Sequence, residues 1–319
     1  MNKCLIILFP LLLSSCNLTT SSTLSSSIDY SISMDTNFPI NDHLKDGENQ
    51  KTKVIVLLGQ SNASGCTYNS YLEKNAKKED YERYKNGFDN ILINYSIDNR
   101  SYTSNGEFKK VNLTNGVKEG YFGPEVGMSD ILSKNLNNET IFILKFTMSG
   151  YSLNYHWLNE YKKFDIYNAG IIFLKTYLDY LINKNYDINL DAICFMQGES
   201  DTTEYKASRY YNNLIKFTSY LREDLDKYND DEIYFIDAGI SDSPYCEPSY
   251  KEINQAKKNF STLSPYNIYF PTIEEGLTTM YEPYDNPDLG HYDSLSMIKL
   301  GELFGEKLLD IYLKKAVKN

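Results

Sequence analysis

The chain has 319 residues, 41% of them hydrophobic, and a formal net charge of -11. This length allows one large domain with a substantial core, and an acidic chain without a basic stripe argues against nucleic acid as a partner. Neither disulfide nor zinc-site spacing occurs among the cysteines, which are Cys4, Cys16, Cys66, Cys194 and Cys246. No His/Asp/Glu cluster has the spacing of metal ligands, so we expect neither a metal nor another cofactor.

The N-terminus has the order of segments typical of a bacterial lipoprotein signal. A short positive start precedes the apolar stretch from Leu5 to Leu13, which is too short to span a bilayer as a helix. Leu13-Ser14-Ser15-Cys16 then resembles a lipobox, in which the cysteine is lipidated and begins the mature chain. The alternative is an ordinary secretory signal with an incidental cysteine. We expect a signal peptide over residues 1–15 and a lipid on Cys16 that anchors the protein to the cell membrane, outside the cytoplasm.

Residues 16–51 are rich in Ser, Thr, Asn and Asp and show little apolar periodicity. Such a composition cannot bury a core of its own and predicts a flexible tether. The folded domain is then expected over residues 52–319. No later run in the sequence is long and apolar enough to predict a second membrane segment.

Short apolar runs alternate with amphipathic segments through the rest of the chain. The predicted strands are 54–58, 140–146, 192–196, 233–236 and 267–270, and the predicted helices are 171–182, 204–225, 250–260 and 295–313. Strands that alternate with helices predict a mostly parallel sheet with helices on both faces. Residues 67–138 are too many for a simple crossover, and we expect them to contain loops that shape a site.

Gly59-Gln60-Ser61-Asn62 directly follows the first predicted strand. A serine on a tight turn between a buried strand and a helix can expose its hydroxyl and gains N–H donors from the helix start. Ordinary turn chemistry or an N-cap is the alternative for Ser61 alone. Asp288-Leu289-Gly290-His291, far along the chain, could supply a base and the carboxylate that orients it. Together the two segments predict a serine hydrolase.

Separate parts of the chain are expected to meet at one rim of the sheet. Ser61, Gly150 and Gln197 each follow the end of a predicted strand, and ligands of parallel sheets bind beyond those ends. His291 follows the last strand and can reach the same rim. Of the other histidines, His43 falls in the tether and His156 is better placed for the surface or the substrate rim.

Several sequence blocks occur in an order that resembles a known group of esterases. They are Gly59-Gln60-Ser61-Asn62, Gly123-Pro124-Glu125, Ser149-Gly150-Tyr151-Ser152-Leu153, Gln197-Gly198-Glu199-Ser200-Asp201 and Asp288-x-x-His291-Tyr292-Asp293. The chain resembles the sialate O-acetylesterase and acetylxylan esterase-like group, carbohydrate esterase family 6 of the SGNH hydrolase superfamily, over about residues 53–313. The resemblance implies an α/β fold: a three-layer α/β/α sandwich with a flavodoxin-like, mostly parallel sheet of about five strands.

The resemblance also assigns roles to residues. Ser61 would attack an acetyl carbonyl, His291 would take and return the proton, and Asp288 would orient the imidazole, ahead of the rival acids Asp293 and Glu199. The oxyanion hole would consist of the backbone N–H groups of Ser61 and Gly150 and the side-chain amide of Gln197. Without the family pattern, Gly150 is an ordinary loop glycine and Gln197 an ordinary hydrogen-bonding residue. Residues expected to support the site or bind substrate are Gln60, Asn62, Glu125 and Glu199.

The predicted function is serine-dependent removal of acetyl groups from sialic acid or other acetylated sugars, through an acyl-enzyme intermediate. Within the hydrolases, the alternative is an acetylxylan esterase. Outside them, the alternative is a carbohydrate-binding surface lipoprotein that has lost catalysis. The presence of Ser61, Asp288 and His291 together favours an enzyme.

Overall fold

The computed structural model of the chain describes residues 33–158 and 165–318. The predicted signal peptide, Cys16 and the first part of the predicted tether lie outside these residues. Across the two described ranges, no helix has both the length and the apolar character that crossing a membrane requires.

A mostly parallel sheet forms the centre of the domain. Its strands and those of a small ribbon are β1 (Lys51–Gly59), β2 (Thr67–Tyr68), β3 (Ile91–Ile97), β4 (Tyr102–Thr103), β5 (Lys109–Lys110), β6 (Tyr121–Phe122), β7 (Ile141–Thr147), β8 (Asp187–Met196), β9 (Tyr234–Ala238) and β10 (Asn267–Phe270). The parallel strands lie in the order β3-β7-β1-β8-β9-β10. β4 and β5 pair antiparallel with β3, while β2 and β6 form the separate ribbon.

Two groups of helices flank the sheet. The helices are α1 (Ser61–Ser64), α2 (Asn69–Asn75), α3 (Lys78–Asn86), α4 (Glu125–Asn135), α5 (Asp165–Asn183), α6 (Glu204–Leu225), α7 (Tyr250–Ser261) and α8 (Ser294–Lys318). α8 packs against α2 and α4, while α6 packs against α5 and α7. The run 54–58 of β1 is wholly buried, as expected for a central strand covered on both faces. The predicted α/β fold class is confirmed.

β3 is a parallel strand that the sequence pattern did not indicate. It lies within residues 67–138, where we expected loops, and it extends the parallel part of the sheet beyond β7. Buried polar residues interrupt its apolar run, and one of them, Asn94, accepts a hydrogen bond from Ser104 of the following hairpin at 2.9 Å. Without β3, the strands in chain order would be arranged 2-1-3-4-5, which is the flavodoxin-like order.

Residues 33–50 lie along the domain surface. The ring of Phe38 meets the edges of Phe146 and Phe173, with centroids 6.5 and 5.3 Å away. The Tyr177 hydroxyl donates to the carbonyl of Pro39 at 2.7 Å. This differs from the flexible tether predicted for residues 16–51, as far as its described part is concerned. The reason is that a few apolar side chains in a polar segment suffice to dock it on a core that the rest of the chain has built.

Candidate active site

The turn after β1 places Ser61 at the start of a helix. Gly59 has a φ of +146°, and a Cβ there would lie 2.0 Å from the carbonyl oxygen of Met196, so only glycine lets β1 turn beside the end of β8. The amide of Gln60 donates to that same carbonyl at 3.0 Å. Ser61 then begins α1, which ends at Gly65 in the left-handed conformation. The short helix therefore leaves Ser61 at a fixed position on the rim of the sheet.

His291 and Asp288 form the pair that the sequence predicted. Asp288 Oδ2 lies 2.6 Å from His291 Nδ1, and Asp288 Oδ1 accepts a hydrogen bond from the amide of Gly290 at 3.0 Å. The hydrogen bond with His291 lowers the pKa of Asp288. Burial lowers the pKa of His291, but its interactions with Asp288 and Cys66 outweigh burial and raise that pKa overall. This contact engages Nδ1 and leaves Nε2 as the other ring nitrogen.

The two rival acids have other partners. Asp293 accepts hydrogen bonds from the Thr278 hydroxyl at 2.5 Å and from the backbone amide of Glu282 at 2.8 Å, so it holds the preceding loop. Glu199 accepts a hydrogen bond from the side-chain amide of Asn62 at 2.6 Å. Burial raises the pKa of Glu199.

Asn62 joins the helix of Ser61 to the loop of His291. Its side-chain nitrogen donates to the carbonyl of Gly290 at 3.2 Å, and its side-chain oxygen accepts from the amide of Tyr292 at 3.1 Å. These two groups stand on either side of His291 in the sequence. Asn62 is almost wholly buried, so these bonds are shielded from water. The residue expected to support the site thus fixes the two halves of the predicted triad relative to each other.

Ser61 and His291 line one cleft of about 780 Å³. Its other lining residues are Gln60, Cys66, Tyr68, Asp98, Val117, Ser149, Gly150, Tyr245, Pro283, Asn286, Pro287, Asp288, Leu289 and Gly290. The cleft lies beyond the carboxyl ends of β1, β3 and β7, where ligands of parallel sheets bind. The structure therefore brings distant parts of the chain together at the predicted rim.

Two backbone amides are available at the cleft. Within the described parts of the chain, the N–H groups of Ser61 and Gly150 donate to no protein acceptor. Gly150 has a φ of +78°, and its preceding residue, Ser149, is fixed because its amide donates to Asp98 Oδ1 at 2.6 Å. The amide of Asp98 in turn donates to the carbonyl of Thr147 at 3.0 Å. Asp98 thus clamps the segment that presents Gly150.

Gln197 occupies a different place from the one expected of an oxyanion donor. Its side chain is fully buried and does not line the cleft. Its amide nitrogen donates to Asp201 Oδ2 at 2.6 Å, and its amide oxygen accepts from the Tyr210 hydroxyl at 2.9 Å. β8 does bring the backbone to the rim, but the side chain turns inward, where these buried partners satisfy it. In this arrangement Gln197 braces the end of β8.

Gln60 and Glu125 also have structural partners. Gln60 lines the cleft, and its side-chain oxygen accepts from the amides of Gly198 and Ser200 at 3.3 and 3.2 Å. Glu125 lies away from the cleft lining and is fully buried, with its carboxylate 2.8 Å from Lys145 Nζ. Gln60 therefore supports the turn beside Ser61, whereas Glu125 connects α4 to β7.

Sequence reasoning missed several cleft residues, among them Cys66, Tyr68, Asp98 and Tyr245. No motif identifies them, because they belong to the ribbon, to the end of β3 and to a loop whose positions depend on the tertiary fold. His156 does not line the cleft, and burial lowers its pKa to about 4. Within residues 33–158 and 165–318, no cluster of three or more His, Cys, Asp or Glu side chains is placed to hold a metal ion.

A family model described as carbohydrate esterase, sialic acid-specific acetylesterase, matches residues 51–310. The chain belongs to this family. It is therefore a hydrolase of carboxylic ester bonds and a carbohydrate acetylesterase, and the resemblance inferred from the sequence blocks is confirmed. No curated protein matches the esterase in sequence.

Solved structures share the esterase fold. NanS is 14% identical with a TM-score of 0.61, and the match covers 85% of this chain and 100% of NanS. A protein from Arabidopsis thaliana is 16% identical with a TM-score of 0.58, and the match covers 81% of this chain and 98% of that protein. At these identities the likeness shows the fold alone.

Proposed function

We propose that this esterase removes O-acetyl groups from sugars by a serine mechanism. The observation that carries the proposal is the arrangement of Ser61, His291 and Asp288 around one cleft, with Asn62 bonded to both sides of His291. Sialic acid is one candidate sugar, in line with the family description, and acetylated xylan is the other candidate left open by the sequence.

In the proposed first step, Ser61 Oγ attacks the acetyl carbonyl carbon and its proton moves to His291 Nε2. The negative charge on the carbonyl oxygen is stabilised by the N–H groups of Ser61 and Gly150. The tetrahedral intermediate then breaks its bond to the sugar oxygen, which takes the proton from His291. Asp288 orients the ring and stabilises its charged form.

In the second step, a water molecule attacks the acetylated Ser61. His291 takes a proton from this water, the bond between acetate and Ser61 Oγ breaks, and the proton returns to the serine. The products are acetate and the free sugar hydroxyl, so the enzyme regains its starting state.

The test of this mechanism is the Ser61→Ala variant of the full chain. We expect the variant to lose roughly 10³-fold or more of the hydrolysis of p-nitrophenyl acetate and of O-acetylated sugars, because the nucleophile is gone. Rapid quenching of the unchanged enzyme, followed by mass spectrometry, should find an acetyl group on Ser61.

The matched control is Ser208→Ala, which removes a hydroxyl from the exposed surface of α6. Its rates should equal those of the unchanged protein. Equal rates for Ser61→Ala and the unchanged enzyme would refute the serine mechanism, and no turnover by either would favour a carbohydrate-binding lipoprotein.

The proposal includes a location. A lipid on Cys16 would place the esterase at the cell membrane, outside the cytoplasm, where acetylated glycans are accessible. The support for this location is the order of charged, apolar and small residues that precede Cys16 in the sequence.

A further inference from the structure

The cleft of the esterase carries negative rather than positive charge. Asp98 and Asp288 both line it, and no lysine or arginine does so within the described residues. The chain as a whole has a formal net charge of -11. A cleft lined by one sign of charge repels ligands of the same sign, because its low-dielectric walls focus the field.

The two carboxylates differ in their partners. Asp288 is in contact with the His291 ring, so a proton on that ring offsets its charge. Asp98 accepts its hydrogen bond from the backbone amide of Ser149, which is a neutral donor. Among the described residues, no lysine or arginine that lines the cleft is paired with Asp98.

The basic residues near the cleft have partners outside its lining. Arg100 is in an ion pair with Asp35 at 2.6 Å. Lys145, whose charge also acts on Asp98, is buried with its Nζ 2.8 Å from the Glu125 carboxylate, so the two charges of that pair largely offset each other. Lys118 lies outside the cleft lining, with its Nζ 4.7 Å from the centre of the Tyr121 ring. A sugar carboxylate is ordinarily recognised by an arginine or lysine that contacts it, and neither lines the cleft in the part of the chain that the structure describes.

We propose that Asp98 makes the esterase selective for uncharged O-acetylated sugars over acidic ones such as sialic acid. The carboxylate of Asp98 would repel a sugar carboxylate and would accept a hydrogen bond from a neutral sugar hydroxyl. This inference rests on the proposed esterase function, and it narrows the substrate class that the family description suggests.

The experiment compares substrates that differ only in charge. One pair is 9-O-acetyl sialic acid and its carboxamide, and the other is acetylated xylotriose with a glucuronic acid branch and the same compound with that branch as its carboxamide. For every pair that is turned over, we expect kcat/KM at low salt to be about tenfold or more higher for the neutral member. Added salt screens the repulsion. It should reduce the ratio of kcat/KM between the neutral and the acidic member by raising only the rate of the acidic member.

Asp98→Asn should reduce the same ratio of kcat/KM several-fold, because asparagine keeps an oxygen that accepts a hydrogen bond from the Ser149 amide but has no charge. The ratio within a pair cancels any general loss of activity. Asp89→Asn is the matched control, since Asp89 is an exposed acid that does not line the cleft. It should leave the ratio unchanged.

Equal rates within both pairs would overturn the inference, as would a ratio that Asp98→Asn does not alter. A preference for the acidic member that disappears in Lys118→Ala would also overturn it, because Lys118 would then recognise the carboxylate. Hydrolysis of p-nitrophenyl acetate without turnover of either sugar pair would instead contradict the proposed action on sugars, so the two failures are distinguishable.

Discussion

At the scale of residues, the contact between His291 and Asp288 determines how the esterase should respond to pH. The proposed general base, His291, acts in its neutral form, so activity should rise as pH rises through its pKa. Because the interactions with Asp288 and Cys66 raise that pKa, the acidic limb of the pH profile should lie above the ordinary range for imidazole.

Asp288→Asn removes the charge that raises the pKa of His291. We therefore expect the acidic limb of kcat/KM to move to lower pH, while kcat falls on the order of 10³-fold because the ring loses its orienting partner. The measurement is a pH–rate profile of the variant beside that of the unchanged enzyme.

Asp293→Asn is the control for that profile. Asp293 follows His291 closely in the sequence, but its carboxylate holds the loop of Thr278 and Glu282. We expect this variant to have a lower free energy of unfolding, while the acidic limb of its pH–rate profile stays at the same pH as in the unchanged enzyme. If Asp293→Asn moved the acidic limb of the pH–rate profile and Asp288→Asn did not, the roles assigned to the two acids would be reversed.

At the scale of elements, a buried ion pair joins β7 to α4. Lys145 Nζ and the Glu125 carboxylate are 2.8 Å apart and both side chains are fully buried. Lys145 also donates to the carbonyl of Asn115 at 2.8 Å, so the pair ties a third segment to the sheet. Such a pair holds the elements in one arrangement, and removal of one member leaves an uncompensated buried charge.

Lys145→Met should therefore lower the free energy of unfolding by about 3–5 kcal/mol, as measured by urea denaturation. The double variant with Glu125→Gln should be less destabilised than the sum of the two single variants. Lys175→Met is the control, because its pair with Asp224 is partly exposed and should contribute no more than about 1 kcal/mol. If Lys145→Met lowered the free energy of unfolding by as little as the control does, the stabilising role of the buried pair would be contradicted.

At the scale of the whole molecule, the docked segment 33–50 extends the folded domain beyond the predicted boundary at residue 52. Phe38 packs on rings of the core, and the amide of Gly47 donates to the carbonyl of Lys184 at 2.7 Å. Residues 33–50 are therefore docked on the domain, although they fall within the predicted tether of residues 16–51.

Attachment to the membrane is testable on the native protein. We expect mass spectrometry of the mature N-terminus to find a lipid on Cys16, and Cys16→Ser to move the esterase from the membrane fraction to the soluble fraction. An unmodified N-terminus at another residue, with no change in fraction for Cys16→Ser, would favour an ordinary secretory signal.

Much of the fold followed from local patterns. β1 and β8 each contain a continuous apolar run, and α6 has a clear helical period, so the sequence pattern indicates all three elements. The pattern does not indicate β3, because Asn94 and Ser96 break its apolar run and depend on the surrounding fold for their burial.

The sequence by itself determined the α/β class and the family and proposed Ser61, His291 and Asp288 as the triad, because short motifs and strand-end positions carry that information. Only the tertiary structure decided that Asn62 bridges Ser61 and His291, that Gln197 turns away from the cleft and that Asp98 enters it. The physical reason is that side-chain direction and charge balance depend on contacts between segments far apart in the chain, which no local pattern encodes.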